Sequence, residues 1–141
     1  MIVLYKEEDM GEYQYRSNEK YLLPPAVYHQ CIWMIRDMER MEKRVSLLND
    51  ELLISNLDIM NGMSVSENLN ILENRKKEIK ITEDRLEGIY YALDLIPEEY
   101  INPLLDNIIN HIKYNDYAHE NTWKKWKQRL IYHIACNLKL Y

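Results

Sequence analysis

Between Cys31 and Leu52 the apolar residues Cys31, Met34, Met38, Met41, Val45, Leu48 and Leu52 recur in alternating steps of three and four. That is the period of a helix burying one narrow stripe against another helix. The intervening Arg36, Asp37, Glu39, Arg40, Glu42, Lys43 and Arg44 carry both signs of charge, as a solvated helix face does. Pro24-Pro25 marks the start, because proline fits the first turn where its missing N–H costs nothing. Asn61-Gly62 breaks the pattern, and Ser64 or Ser66 can cap the next helix, with Glu67 in a favourable first turn. A second stripe then runs through Leu69, Leu72, Ile79, Leu86, Ile89 and Leu93, with Lys76 and Glu83 at its margin. So short a connection makes the two helices antiparallel neighbours.

Length turns this hairpin into a packing question. A helix from Pro25 to about Met60 would be ~50 Å long, whereas a globule of 141 residues is only ~37 Å across. The hairpin must therefore project, kink or be covered by a second copy. An exposed Met/Leu seam of that length is a liability, and Cys31, Met34, Met38, Met41, Val45, Leu48 and Leu52 are the expected homodimer seam. The other reading ends the first helix near Asn49-Asp50 and packs everything into one monomeric bundle.

The fold class expected is all-α: a long antiparallel helical hairpin followed by a C-terminal helix-turn-helix-like unit. Only three Gly and four Pro punctuate the chain, which favours long elements over many strands. Residues 1–23 show no period and read as an arm packed by Tyr5, Tyr13, Tyr15 and Tyr21, with room for a short strand at Ile2 to Tyr5. Residues 24–95 form the hairpin, and 96–141 the C-terminal unit. Ile96-Pro97-Glu98-Glu99 redirects the chain, and Asn102-Pro103 is a cap and first turn for a helix through Leu104, Leu105, Ile108, Ile109 and Ile112. Tyr114 to Glu120 reads as a loop, and Asn121 or Thr122 caps a last helix to about Leu138.

With 47% apolar and 29% charged residues the chain is neither disordered nor a membrane protein. No apolar run approaches the ~18 residues of a membrane span. The opening Met1-Ile2-Val3-Leu4-Tyr5 runs into Lys6-Glu7-Glu8-Asp9 and is too short for a signal-peptide core. Cys31 and Cys136 sit in apolar-periodic helices and read as small buried hydrophobes in a reducing compartment, so a cytoplasmic location is expected. His29, His111, His119 and His133 form no zinc-type spacing with the cysteines, and His133 and Cys136, one turn apart, have no further ligand nearby. Three scattered glycines build neither a phosphate loop nor a nucleophile elbow, and the acids at Glu7-Glu8-Asp9 and Glu98-Glu99 read as solvated faces and first turns. No cofactor, no metal and no enzymatic activity are expected.

Charge is uneven. Met1 to Ile112 holds 12 basic and 21 acidic residues, whereas Lys113 to Tyr141 holds 6 basic and 2 acidic. On a helical wheel at ~100° per residue, Trp123, Trp126, Leu130, Ile131, Ile134, Leu138 and Tyr141 gather in one arc, the expected buried face. Lys125, Gln128, Arg129, Tyr132 and Lys139 occupy the opposite arc, with Lys124 at its edge, and Lys127 snorkels out of the apolar arc. A short helix, a loop and a helix with such a face is the layout of a helix-turn-helix reader. A plain solvated face is the competing reading; the helix dipole explains Lys139 at the C-terminal end but not Lys124 and Lys125.

Leu23-Pro24-Pro25, Tyr28-His29-Gln30 and Trp33-Met34-Ile35-Arg36-Asp37 resemble the hairpin opening of small phage-encoded regulators of the RinA/ArpU type. Ile96-Pro97-Glu98-Glu99-Tyr100 and Thr122-Trp123-Lys124-Lys125-Trp126-Lys127-Gln128-Arg129-Leu130-Ile131-Tyr132 are similar to their C-terminal unit, which is itself like region 4 of sigma factors. The resemblance spans the hairpin and the C-terminal third. It implies a phage or prophage late-gene activator that binds double-stranded DNA and touches RNA polymerase. Lys124, Lys125, Gln128, Arg129 and Tyr132 would face DNA, with Trp123, Trp126 and Leu130 as packing. The alternative is a phage-encoded interaction module that inhibits a host protein through the acidic hairpin.

Overall fold

The computed structural model describes residues 13–62 and 65–141. Among them the chain is all-α, with no strand: a 3₁₀ turn at Glu19–Tyr21 precedes α1 (Pro25–Arg36), α2 (Met38–Met60), α3 (Val65–Leu93), α4 (Glu98–Asn110) and α5 (Glu120–Asn137). The strand considered at Ile2 to Tyr5, and capping by the Ser64 or Ser66 side chain, lie outside the described residues.

α1 opens at Pro25, and the first helix of the hairpin is interrupted rather than continuous. The break is at Asp37, whose backbone sits at φ −92°, ψ 0°. Its carboxylate does not cap α2. It accepts from Arg40 Nε and Nη2, each at 2.6 Å, and that hydrogen bond is the first cause holding the Asp37 carboxyl below its ordinary range. Just before the break, Arg36 Nε donates to the Ile108 carbonyl at 2.8 Å, and its guanidinium lies over the Trp33 ring. The break coincides with a division into two compact units, one of residues up to Arg36 with Gly88–Tyr141, the other Asp37–Glu87. This cuts through the block 24–95 read as one hairpin.

In the first unit α1 packs on α4 and α5. Tyr28, Cys31, Ile32 and Ile35 from α1 meet Leu104 and Ile108 from α4, and Trp123, Leu130, Ile131 and Ile134 from α5, all buried. Each such aliphatic or aromatic side chain contributes about 1.5–3 kcal/mol of burial. The last turns of α3 add Ile89, Ala92 and Leu93. Gly88 is required there by close approach. A Cβ at that position would stand 2.6 Å from Leu138 Cδ2, and the Gly88 carbonyl accepts from Asn137 Nδ2 at 2.9 Å. α4 starts at Glu98, one turn before the Asn102-Pro103 start read from the sequence. Glu98 and Glu99 favour the first-turn dipole, so Pro103 is carried inside the helix.

The second unit is a two-helix hairpin. Arg44 bridges to Glu78 and Arg75 to Glu51, both at 3.0 Å, and Arg75 Nη1 donates to Ser55 Oγ at 2.9 Å. Its buried stripe is Met41 and Leu48 against Leu72, Ile79 and Leu86. The expected dimer seam is therefore used inside one chain. Met41 and Leu48 are buried here and Cys31 is buried in the other unit, while Met34, Met38, Val45 and Leu52 are half-buried. A dimer through this stripe would have to open the chain's own core. The apolar residues of α2 left exposed are others: Leu47, Leu53, Ile54, Leu57 and Met60.

Candidate nucleic-acid interface

α5 begins two residues before the start read from the sequence. His119, not Asn121 or Thr122, is its N-cap, because the His119 Nδ1 accepts from the Asn121 N–H at 3.0 Å. The preceding turn closes on His111 in the left-handed region at φ 57°. The loop after it returns Tyr114 to stack on Trp123, with ring centroids 5.4 Å apart and planes 5° apart. Tyr100 meets the same indole edge-on at 4.9 Å. Trp123 is fully buried by these rings, which fixes the rotation of α5 and decides which residues can face outward.

The outward arc is not bare. Residues 13–23 cross it as a strap. Gln14 pins the strap to its own end, donating to the Leu23 carbonyl and accepting from the Leu23 N–H, and Tyr28 Oη donates to the Tyr13 carbonyl. Asn18 caps the 3₁₀ turn by accepting from the Lys20 N–H. Gln128, expected on the DNA-facing surface, lies beneath this strap at 2% exposure. Its Nε2 donates to the Tyr15 carbonyl at 2.7 Å and the Asn18 carbonyl at 3.1 Å, so the exposed position read for it is corrected.

The other expected contact residues keep partial exposure. Lys124 is paired with Glu120 at 3.3 Å, one helical turn back. Lys125 Nζ sits 4.8 Å from the Trp126 ring centroid. The Arg129 guanidinium lies between two rings, 5.1 Å from Tyr21 and 5.2 Å from Trp126. Tyr132 meets Tyr21 edge-on at 5.1 Å. Trp126, placed by the wheel in the buried arc, is only half-buried because it carries these two cations, and Tyr141 is 64% exposed.

The strap adds residues the wheel could not show. Lys20 Nζ lies over the Tyr21 ring at 5.3 Å, so Lys20, Tyr21, Arg129, Trp126 and Lys125 form one run in which cations and rings alternate. Among the described residues none of these three cations is ion-paired. The field is felt at His133, whose imidazole is held below its ordinary value first by burial, then by Arg129 and Lys20. The strap's tyrosines were a signal in the sequence. Its lack of period gave no register, so Lys20 could not be assigned to this face.

Among the described residues no three of His, Cys, Asp and Glu come together as a metal site, and no helix is long and apolar enough to cross a membrane. No protein-family model, curated protein or solved structure matches the chain.

Proposed function

We propose that this chain is a DNA-binding transcriptional regulator, of the phage type its sequence resembles, that contacts duplex phosphates through α5 and the strap lying on it. The observation carrying the proposal is the run Lys20–Tyr21–Arg129–Trp126–Lys125, in which rings orient cations that have no carboxylate partner among the described residues. Such cations exchange small counterions for phosphates at little cost. With the strap docked, Gln128 cannot reach a base edge, so binding is led by backbone contacts and discriminates weakly between sequences. RNA polymerase is the proposed protein partner on the resemblance alone.

The test is fluorescence anisotropy of the full chain on tiled duplexes across a salt series. Three to five phosphate contacts give a log–log slope of about −3 to −5. Lys20→Ala/Lys125→Ala, which removes no core group, should flatten the slope by about two. Absence of binding at low salt, or a slope unmoved by the double substitution, refutes the proposal.

A second reading has its own support. The unit Asp37–Glu87 holds 12 acidic and 8 basic residues, and Leu53, Ile54, Leu57 and Met60 on α2 are each at least half exposed. An acidic surface edged with apolar side chains suits a protein partner. Removing the acids at Glu39, Glu42 and Asp84 would abolish activity under this reading and spare it under the first.

A further inference from the structure

The C-terminal half of α2 presents an apolar face that its own chain leaves uncovered. At ~100° per residue, Leu47, Leu53, Ile54, Leu57 and Met60 fall on one arc, opposite the buried Met41 and Leu48. Met60 is 80% exposed, and Leu53 and Ile54 are more than half exposed. Nearer the start of the helix the same arc is charged. Glu39, Glu42 and Lys43 occupy it, and Lys43 pairs with Glu39 at 2.9 Å. From Leu47 to Met60 the arc carries one charged residue among the described residues, Asp50, which is exposed and has no ion pair. Depletion of charge at the centre of a patch, more than bulk hydrophobicity, is what separates a contact surface from an ordinary solvated one.

A strip with a single charge offers little to an oppositely charged partner. It asks for another narrow apolar strip, and a second copy of the chain supplies one. Charge also sets the direction of pairing. A parallel pair would place Glu39, Glu42 and Asp50 each against its own copy. An antiparallel pair crossing between Leu53 and Ile54 places Leu47 against Met60 of the second copy and Leu53 against its Ile54, each contact made twice by the two-fold axis. The two Asp50 carboxylates then lie about 10 Å apart along the helices, beyond the ~8 Å screening length of physiological salt. The charged halves of the two helices run past each other into solvent. We infer that α2 pairs antiparallel with α2 of a second copy through Leu47, Leu53, Ile54, Leu57 and Met60. The strip is about 20 Å long and 10 Å wide, well short of the roughly 800 Å² per partner of a standard interface, so the dimer is weak and reversible. It leaves the Met41–Leu48 stripe inside each chain, and it does not depend on DNA binding by α5.

The test is sedimentation equilibrium of the full chain from micromolar to millimolar concentration. The mass should rise reversibly from the 17.2 kDa monomer to twice that value and stop there, with a dissociation constant between about 10 µM and 1 mM. Ile54→Glu/Leu57→Glu, at two exposed positions, should hold the chain monomeric throughout. Asp50→Leu should act the other way and tighten association at least about tenfold, because it removes the one charge on the arc and fills the gap between Leu47 and Ile54. A gain of association cannot be mistaken for a failure to fold. A monomer at every concentration overturns the inference and leaves the arc to a different protein. Growth past the dimer, association unmoved by Ile54→Glu/Leu57→Glu, or no tightening in Asp50→Leu overturns it as well.

Discussion

Replacing Gln128 should release the strap without unfolding the molecule. The side chain is 2% exposed, and its Nε2 serves the carbonyls of Tyr15 and Asn18 at 2.7 and 3.1 Å. A hydrogen bond contributes about 0.5–1.5 kcal/mol net, so Gln128→Met, which keeps the volume and removes the donor, should weaken docking by about 2 kcal/mol. At about 1.4 kcal/mol per factor of ten, the docked-to-undocked ratio falls roughly thirtyfold. Gln128→Glu should cost more, because a carboxylate would then face two carbonyl oxygens. The core beneath, Trp123, Leu130, Ile131 and Ile134, is untouched. The loss should therefore be local.

Amide hydrogen exchange reads this directly. Three strap N–H groups are held by short-range bonds that need the docked geometry: Tyr21 to the Asn18 carbonyl, Leu22 to the Glu19 carbonyl, and Leu23 to Gln14 Oε1. In Gln128→Met these amides should exchange roughly thirtyfold faster, while those of α1 and α5 keep their protection. Wild-type exchange at all three positions in Gln128→Met would refute the argument that this amide holds the strap.

Leu48→Ala should destabilise the second unit by about 2–5 kcal/mol, because it empties a fully buried site, whereas Leu47→Ala on the exposed face should fall within about 0.5 kcal/mol; chemical denaturation distinguishes them. Gly88→Val should cost about 1–3 kcal/mol, read as a fall in Tm, because the added methyls must displace Leu138. The Cys31 thiol is pushed up to about 12, by burial first and by Cys136 second, so thiol-specific reagents at pH 8 should spare it until the protein unfolds. The unfolded thiol ionises near 9 while the folded one does not, so its contribution is intact below pH 9 and is lost as pH rises toward 12, at up to about 1.4 kcal/mol per pH unit. His133, lowered by burial, Arg129 and Lys20, acts in the opposite direction: the unfolded imidazole takes its proton first, so the stability it gives above pH 6.5 is lost on acidification, and an NMR titration of its ring should show a midpoint below the ordinary value, rising in Arg129→Ala.

How legible each feature was in the sequence depends on the range of the interactions that make it. The stripe of Met41 and Leu48 against Leu72, Ile79 and Leu86 is a local period, so its helices and their facing sides were legible. Whether that stripe would meet its own chain or a copy is a tertiary question, and no period answers it. The helix break at Asp37 was not marked, since Asp37-Met38-Glu39-Arg40 contains no proline or glycine. On α5 the wheel placed Trp123, Leu130, Ile131 and Ile134 correctly inside. It placed Gln128 outside, because a wheel takes any polar arc to face water. The amide is buried by partners more than a hundred residues away in the chain, and nothing in the spacing of Tyr13, Tyr15 and Tyr21 encodes that register.

The same strap gives the DNA reading a sign that can be checked. Docked, it supplies Lys20 and Tyr21 to the basic run, and the Tyr21 ring lies against Arg129 as Trp126 does. A duplex that binds this composite face favours the docked form, and by linkage docking then favours the duplex by the same factor. Gln128→Met should accordingly weaken duplex binding although it removes no charge. A helix that instead reads bases with Gln128 must first shed the strap, and undocking would then be a cost already met in a loosened variant, so binding by such a helix would be tightened by loss of Tyr21 through Tyr21→Ala. Under the composite face Tyr21→Ala weakens binding, because Lys20 and Arg129 lose the ring that orients them both. The direction of that one change therefore separates a surface built from two parts of the chain from a helix held in reserve beneath a cover.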